Sequence, residues 1–134
     1  MQTNPGPHEL SSAPLIMTPS GNGIVKPFTA NFFDELDRDF EMFKGHFLIM
    51  TFAFDEAWPT WEIHPHGDEF VYLLEGDTDF ILHTSDGDVT VRVSEPGSYV
   101  IVPKNTWHTA KPHAPTRMLF VTPGQGTLNQ AEPG

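Results

Sequence analysis

The chain has 134 residues and no cysteine, which suits one domain with a modest core and excludes disulfides and thiolate metal sites. Its 7 Lys and Arg residues against 18 Asp and Glu residues give a formal net charge of −11, so nucleic acid and anionic membrane surfaces would be repelled. Without thiolates, any metal ion must be held by His, Asp, Glu or carbonyl groups.

Both ends of the chain are predicted to lie outside the folded domain. Residues 1–14 carry three prolines and predict a flexible or extended arm, and residues 124–134 predict a C-terminal tail in loop conformation. Residues 15–123 then form a single domain. No apolar run approaches the ~20 residues of a membrane span, and the N-terminus lacks the pattern of a signal peptide, so we expect a cytoplasmic protein.

One short helix is predicted near the start of this domain. Apolar residues recur at spacings of three and four between Phe32 and Phe43, which is typical of one face of a helix. Asn31 is a suitable N-cap, and Gly45 would end the helix. We expect the apolar face to pack against the strands that follow.

Strand patterns dominate from residue 46 onward. Short apolar or alternating runs are separated by turn signals, which is typical of a β-sandwich or barrel. Asp86-Gly87 predicts a hairpin turn, Pro96-Gly97 fits a type II turn, and Asn105 suits a left-handed position in another tight turn. The predicted strands are residues 46–54, 58–64, 70–74, 77–84, 88–93, 98–102, 107–111 and 117–122.

Two segments carry residues with metal-binding chemistry. In the first, Glu62 and His64 are two residues apart on a predicted strand, so they share a face, as chelating ligands must. A turn over residues 65–68 would then let Glu69, at the start of the next strand, swing back toward the same point. The second segment ends at His108, just inside the strand that follows the Asn105 turn.

These two segments resemble the two sequence motifs of the cupin family. Glu69 and Gly76, separated by six residues, reproduce the second half of the first motif, and Gly97, Pro103 and His108 match the second motif in spacing. The resemblance spans roughly residues 47–122 and implies a jelly-roll barrel with metal ligands inside one end, often as a homodimer. The predicted fold class is therefore all-β: a cupin-type jelly-roll β-barrel with one short N-terminal helix.

Two registers of the first motif remain open. In the favoured register, Glu62 and His64 occupy the two histidine positions of the motif. The metal ligands would then be Glu62, His64, Glu69 and His108. In the other register, His64 and His66 form the pair, but only two residues separate His66 from Glu69, which is shorter than the usual three or four. His66 is thus the alternative ligand.

The residues expected to carry catalysis are Glu69, Tyr72 and Tyr99. The two tyrosines would line the cavity, where a hydroxyl could position a substrate or donate a proton. Either Glu69 or Glu62 could double as a base.

Two functions follow from these expectations. Two imidazoles and one or two carboxylates suit one divalent transition metal ion, Fe, Mn, Ni or Zn. The first hypothesis is a metal-dependent enzyme acting on a small organic molecule, with dioxygenase- or isomerase-like chemistry implied by the cupin resemblance. The alternative is a non-catalytic module that binds a sugar or small acid with a weak or absent metal site.

Overall fold

Two antiparallel β-sheets stack against each other and enclose the core. The structure, a computed structural model, describes residues 4–134, so residues 1–3 of the predicted arm lie outside the described part. Its strands are β1 Leu15–Met17, β2 Gly23–Val25, β3 Phe47–Phe54, β4 Trp61–Ile63, β5 Glu69–Glu75, β6 Thr78–Thr84, β7 Gly87–Val93, β8 Tyr99–Val102, β9 His108–Pro112, β10 Thr116–Thr122 and β11 Leu128–Gln130.

The strand order explains why the two sequence segments meet. One sheet has six strands in the order β2-β1-β3-β10-β5-β8, and the other has five in the order β11-β4-β9-β6-β7. Strands β4 and β9 are neighbours, and Glu62 lies opposite His108. Strand β5 lies in the facing sheet and brings Glu69 toward them. This arrangement of two facing antiparallel sheets confirms that the fold is all-β, as predicted.

The barrel core follows from strand alternation. Along β5, the side chains of Glu69, Val71 and Leu73 are buried and those between them are more exposed. The same period-two pattern in β10 buries Met118 and Phe120. These side chains join those of the facing sheet in one apolar cluster, whose buried members are Val71, Leu73, Phe80, Leu82, Val93, Val100, Val102, Ala110, Met118 and Phe120.

The single helix closes a second, smaller core. Helix α1 spans Phe32–Asp39 and buries Phe32 and Leu36 against the strands. It is shorter than predicted, because the chain turns through positive φ values of 54–59° at residues 41–43, which right-handed helical residues do not adopt. Asn31 occupies the N-cap position but makes no side-chain capping bond. Within the described residues, no helix has the length and apolar character needed to cross a membrane.

The turn predictions are confirmed. Thr84 pairs with Gly87 across a two-residue hairpin, and Gly87 has a φ of 111°. Gly97 has a φ of 95° in the turn closed by the bond from the Ser98 N–H to the Glu95 carbonyl, at 3.0 Å. Asn105 adopts a φ of 59°, in the left-handed region expected for it.

Three strands were not predicted from the sequence. Strands β1 and β2 have only three residues each, too few for a periodic pattern to stand out. Strand β11 lies in the segment predicted to be a loop, and it pairs with β4. All three residues of β11 are exposed, so no alternation of apolar and polar residues marks it. The predicted strand over residues 58–64 is also shorter, since β4 comprises only Trp61–Ile63.

The outer surface of the six-stranded sheet is apolar. Directly paired residues of an antiparallel sheet share a face, and the register places eight apolar or aromatic side chains on the side opposite the core. We call this set the outer apolar face. Its members are Phe47, Ile49, Phe70, Tyr72, Tyr99, Ile101, Leu119 and Val121. Tyr99 is 59% exposed and Ile101 is 46% exposed.

We predict that Gly76→Ala destabilises the fold by roughly 2–5 kcal/mol, because two costs add. Gly76 has a φ of 110°, and a Cβ there would lie 2.5 Å from both the Pro115 oxygen and the Thr116 Cα. Gly87→Ala is the matched control, since φ is 111° but nothing lies within 4 Å of its Cβ. It should cost only roughly 1–2 kcal/mol. Urea unfolding measures both, and equal losses would contradict the close-approach argument.

Candidate metal centre

Four side chains from the two sheets converge inside one end of the barrel. Glu62, His64, Glu69 and His108 each offer one ligand atom, and these atoms lie within 4.8 Å of one another. His64 follows β4 directly, Glu69 opens β5 and His108 opens β9. The Asn105 turn is fixed to this region because its N–H donates to the His64 carbonyl, at 3.0 Å. We call these four residues the His/Glu cluster.

The Glu69 carboxylate lies between the two imidazoles. Its Oε2 is 3.2 Å from His64 Nε2, and its Oε1 is 3.2 Å from His108 Nε2. On the other side of His64, Glu62 Oε1 is 3.0 Å from the same Nε2 atom. The Thr122 hydroxyl donates to Glu69 Oε2 at 2.6 Å, which fixes the carboxylate.

Each imidazole is oriented from its far side. His108 Nδ1 lies 3.1 Å from the Thr106 carbonyl, which can only accept, so this nitrogen carries a proton. His64 Nδ1 lies 2.9 Å from the Thr127 hydroxyl oxygen. That hydroxyl donates to the Gly124 carbonyl at 2.9 Å, so it accepts from His64. In their neutral forms, both rings therefore direct an Nε2 lone pair into the cluster.

The cluster contains most of the unpartnered buried polar atoms of the described residues. Among buried side-chain nitrogen and oxygen atoms there, those that make no hydrogen bond of good geometry are His64 Nε2, Glu69 Oε1, His108 Nε2 and Trp58 Nε1. The first three lie 3.0–3.2 Å from other members of the cluster. Leaving a buried polar atom unpaired costs about 1–3 kcal/mol. Three such atoms that face one another fit a bound cation, and imidazole and carboxylate ligands suit Fe, Mn, Ni or Zn. The residues present thus form a possible metal-binding group.

The charges of the cluster are strongly coupled. Burial by itself lowers the pKa of His64, but the neighbouring carboxylates of Glu62 and Glu69 outweigh it and raise the pKa to about 9. Burial by itself raises the pKa of Glu69, but the contacts with His108 and His64 lower it to about 2. In the metal-free protein at neutral pH, His64 is therefore protonated and Glu69 ionised. A metal ion would take the place of the His64 proton.

Access to the cluster is one-sided. The side chains of His64 and Glu69 are 3% exposed and that of His108 is 0% exposed, whereas that of Glu62 is 29% exposed. Glu62 is therefore the member of the cluster that meets solvent.

The structure separates the predicted site residues into two sets. Glu62, His64, Glu69 and His108 meet, as the favoured register expects. His66 is exposed and lies outside the cluster, beside Gly126. Ligation itself stays a prediction for all of them.

The expectation that Tyr72 and Tyr99 line the cavity is wrong. Both belong to the outer apolar face, because Tyr72 pairs with Tyr99 and stands an odd number of residues from the inward-facing Glu69. Neither hydroxyl can therefore reach a molecule bound at the cluster.

Two functional contacts were missed. Thr122 and Thr127 hold Glu69 and His64, respectively. The alternating pattern of β10 points the Thr122 side chain inward. Its contact with Glu69 could have been predicted only if the pairing of β10 with β5 had been known. No local signal marks Thr127, which lies in the segment predicted to be a loop.

A β-barrel with a His/Glu cluster inside one end defines the class of protein. The family model described as "Cupin domain" matches residues 48–128, which is more than half of the chain and includes every member of the cluster. The chain belongs to the cupin family. No curated protein matches it in sequence.

Solved structures share this fold at low identity. An oxalate decarboxylase mutant of Bacillus subtilis is 17% identical with a TM-score of 0.53, over 63% of this chain and 23% of that one. A cupin superfamily protein of Desulfitobacterium hafniense DCB-2 is 21% identical with a TM-score of 0.48, over 57% and 65%. Hydroquinone 1,2-dioxygenase of Sphingomonas sp. TTNP3 is 17% identical with a TM-score of 0.47, over 57% and 58%. The chain spans less than two thirds of each of these proteins.

We predict that the metal-free protein loses stability as the pH rises from 6.5 toward about 9. The pKa of His64 is raised from 6.5 to about 9 on folding, so its contribution is complete below 6.5 and disappears as the pH passes the folded value. Urea unfolding at several pH values in the presence of a chelator measures how the free energy of unfolding changes with pH. In His64→Gln this pH dependence should be weaker. A wild-type slope that His64→Gln leaves unchanged would contradict the coupling between His64 and the carboxylates.

Proposed function

We propose that this cupin holds one divalent transition metal ion through Glu62, His64, Glu69 and His108 and acts on a small organic molecule. The observation that carries the proposal is the convergence of three buried, unpartnered ligand atoms from two imidazoles and one carboxylate. Within the protein these atoms have only one another as neighbours, at 3.0–3.2 Å, whereas a bound cation would satisfy the imidazole and carboxylate atoms together. The ion would be Fe, Mn, Ni or Zn.

The members of the His/Glu cluster would have different roles in the reaction. When bound, such an ion supplies Lewis acidity or, if it is redox-active, oxygen chemistry. Glu69 would act as a ligand rather than a base, since its pKa of about 2 makes it a poor proton acceptor at neutral pH. Glu62 is the better candidate for moving a proton, because it alone in the cluster meets solvent and lies beside His64.

Within this proposal, two enzyme classes are favoured. One is an oxidoreductase with dioxygenase-like chemistry, and the other is an isomerase with proton-transfer chemistry. Both reaction types need a group that can give or take a proton at the open side of the metal, which Glu62 would provide. The fold does not discriminate between them, since one architecture hosts many reactions. The identity of the metal would discriminate, because iron or manganese favours oxygen chemistry and zinc or nickel favours isomerase- or hydrolase-like chemistry.

A second candidate is a non-catalytic module that binds a sugar or small acid. The observation in its favour is the closure of the cluster, since three of the four members are no more than 3% exposed. A metal ion enclosed in this way could serve the fold alone. Ligand-induced thermal stabilisation that survives complete metal removal would favour this candidate over the enzyme.

We also propose that two copies of the chain form a homodimer through the outer apolar face. The chain carries a net charge of −11, and the outer apolar face is bordered at one end by the ion pair between Arg117 and Glu75, which adds no net charge to it. Two copies can therefore meet here without bringing like charges together, and burying large exposed apolar side chains favours association. The same acidic charge argues against nucleic acid as a partner. A cytoplasmic location stays a prediction of the sequence.

We predict that purified wild-type protein carries about one transition-metal ion per chain and that His64→Ala/His108→Ala carries essentially none. The double variant removes the two nitrogen ligands, and mass spectrometry of metal content measures the loss. His66→Ala is the control that decides between the two motif registers. It should keep the metal, because His66 is exposed and outside the cluster.

Two results would count against this proposal. If the wild type held no metal even after reconstitution, the metal-dependent function would be refuted and the binding module would stand. If His66→Ala lost the metal, the ligand set would instead include His66.

We predict that Ile101→Lys shifts the protein from dimer to monomer in sedimentation velocity experiments. Ile101 is 46% exposed on the outer apolar face, and a charge there would have to be buried at the interface. Val89→Lys is the control, because Val89 is 48% exposed on β7 of the other sheet. A dimer that resists Ile101→Lys but dissociates with Val89→Lys would place the interface elsewhere.

A further inference from the structure

We propose that Thr127 is a positioning residue that presents His64 to the metal, so that metal affinity and the docking of β11 are thermodynamically linked. The inference rests on the proposed metal function. It assigns a role to the C-terminal segment, which contributes no member of the His/Glu cluster.

The Thr127 hydroxyl has one hydrogen-bonding arrangement in this environment. Its proton goes to the Gly124 carbonyl at 2.9 Å, because a carbonyl cannot donate. Its oxygen is then an acceptor for the N–H at His64 Nδ1, also at 2.9 Å. The bond selects the ring orientation in which Nε2 faces Glu62 and Glu69. Partners of this kind set the tautomer and ring angle of metal-binding histidines.

The carbonyl that receives the Thr127 proton is itself fixed by packing. A Cβ at Gly124 would lie 3.0 Å from the ring of Phe43, so the backbone of Gly124 sits directly on that ring. Phe43 is 1% exposed and belongs to the second core, beside α1. A series of short contacts therefore connects the second core to the cluster. It runs from Phe43 to Gly124, then to Thr127 and His64.

Strand β11 follows Thr127 and pairs with the strand that carries Glu62. Leu128 lies opposite Ile63 and Asn129 lies opposite Glu62. All three residues of β11 are exposed, so the strand has little buried apolar surface to hold it in place. Elements of this kind open at low free energy. The bond to His64 therefore connects the residue that precedes this strand directly to the buried cluster.

The linkage follows from reciprocity. If docking of the Thr127 segment favours the metal-binding orientation of His64, metal binding must favour docking of the segment by the same factor. Zinc should therefore slow amide hydrogen exchange in residues 127–130 of the wild type.

The experiment compares zinc affinity, measured by chelator competition, in full-length wild type, Thr127→Val, Thr127→Ser and Gln130→Ala. Thr127→Val keeps the shape of the side chain and removes the hydroxyl. We expect it to weaken zinc binding ~10–100-fold and to abolish the zinc-dependent slowing of exchange in residues 127–130. Thr127→Ser should restore affinity to within a few-fold of wild type. Gln130→Ala changes an exposed side chain of β11 that lies opposite Trp61 rather than opposite a member of the cluster, and it should bind zinc like the wild type.

Three outcomes would overturn the inference. Thr127→Val could bind zinc as tightly as the wild type, which would mean that the hydroxyl does not position His64. Thr127→Ser could bind as weakly as Thr127→Val, which would assign the effect to the methyl group. Gln130→Ala could bind as weakly as Thr127→Val, which would mean that the effect does not pass through the Thr127 hydroxyl.

A readout without metal separates this inference from the proposed function. In the zinc-free protein, the N–H proton at His64 Nδ1 should exchange slowly and be visible by NMR in the wild type and Thr127→Ser, and be lost in Thr127→Val. A wild type that shows this signal but binds no zinc would refute the metal function and keep the contact. A signal that is unaffected by Thr127→Val would refute the positioning role, whatever the zinc affinity.

Discussion

The burial of the Glu69 carboxylate between two imidazoles is the interaction on which the rest of the site depends. A carboxylate that is 2% exposed is costly to keep ionised unless positive charge lies close to it. The neighbouring His64 and His108 provide that compensation and hold the pKa of Glu69 near 2. Because Glu69 comes from one sheet and the two histidines from the other, the same interaction joins the two layers at this end of the barrel.

The supports of the cluster come from several distant parts of the chain. Thr122 on β10 holds Glu69, the Thr106 carbonyl orients His108, and Thr127 orients His64. The contacts to the two histidines act on the ring nitrogens that point away from the cluster, whereas Thr122 binds the Glu69 oxygen that also faces His64. Glu62 differs from the other members, since its side chain is partly exposed to solvent while one of its oxygens contacts His64. The cluster thus combines a rigid, buried side with one accessible carboxylate.

The sequence predicted most of the barrel because its signals are local. The turns at Gly87, Gly97 and Asn105 need backbone conformations that only a few residue types adopt readily, and the chain has such residues there. The members of the His/Glu cluster were predictable because alternation places Glu62 and His64 on one face, and the cupin resemblance implied Glu69 and His108. Sequence spacing could not establish which strands become neighbours, so the contact between Thr122 and Glu69 could not be predicted.

The errors have physical causes as well. Tyr72 and Tyr99 were expected in the cavity on residue type, but inward orientation depends on strand phase, and Glu69 fixes that phase for β5. Strand β11 escaped prediction because it is stabilised by backbone pairing with β4 and by contacts of its flanking segment, neither of which leaves an apolar pattern. The helix ended early because residues 41–43 take left-handed φ values that no residue type there favours.

The central claim is that the unpartnered atoms of the cluster are the ligands of one metal ion. A crystal structure of the metal-loaded protein, with anomalous diffraction recorded at the absorption edge of that metal, tests it most directly. We expect one anomalous peak within coordination distance of His64 Nε2, His108 Nε2 and a Glu69 oxygen, with Glu62 completing the protein ligands. A peak elsewhere, or a loaded crystal in which Glu69 remains hydrogen-bonded to protonated His64 with no peak between them, would contradict it.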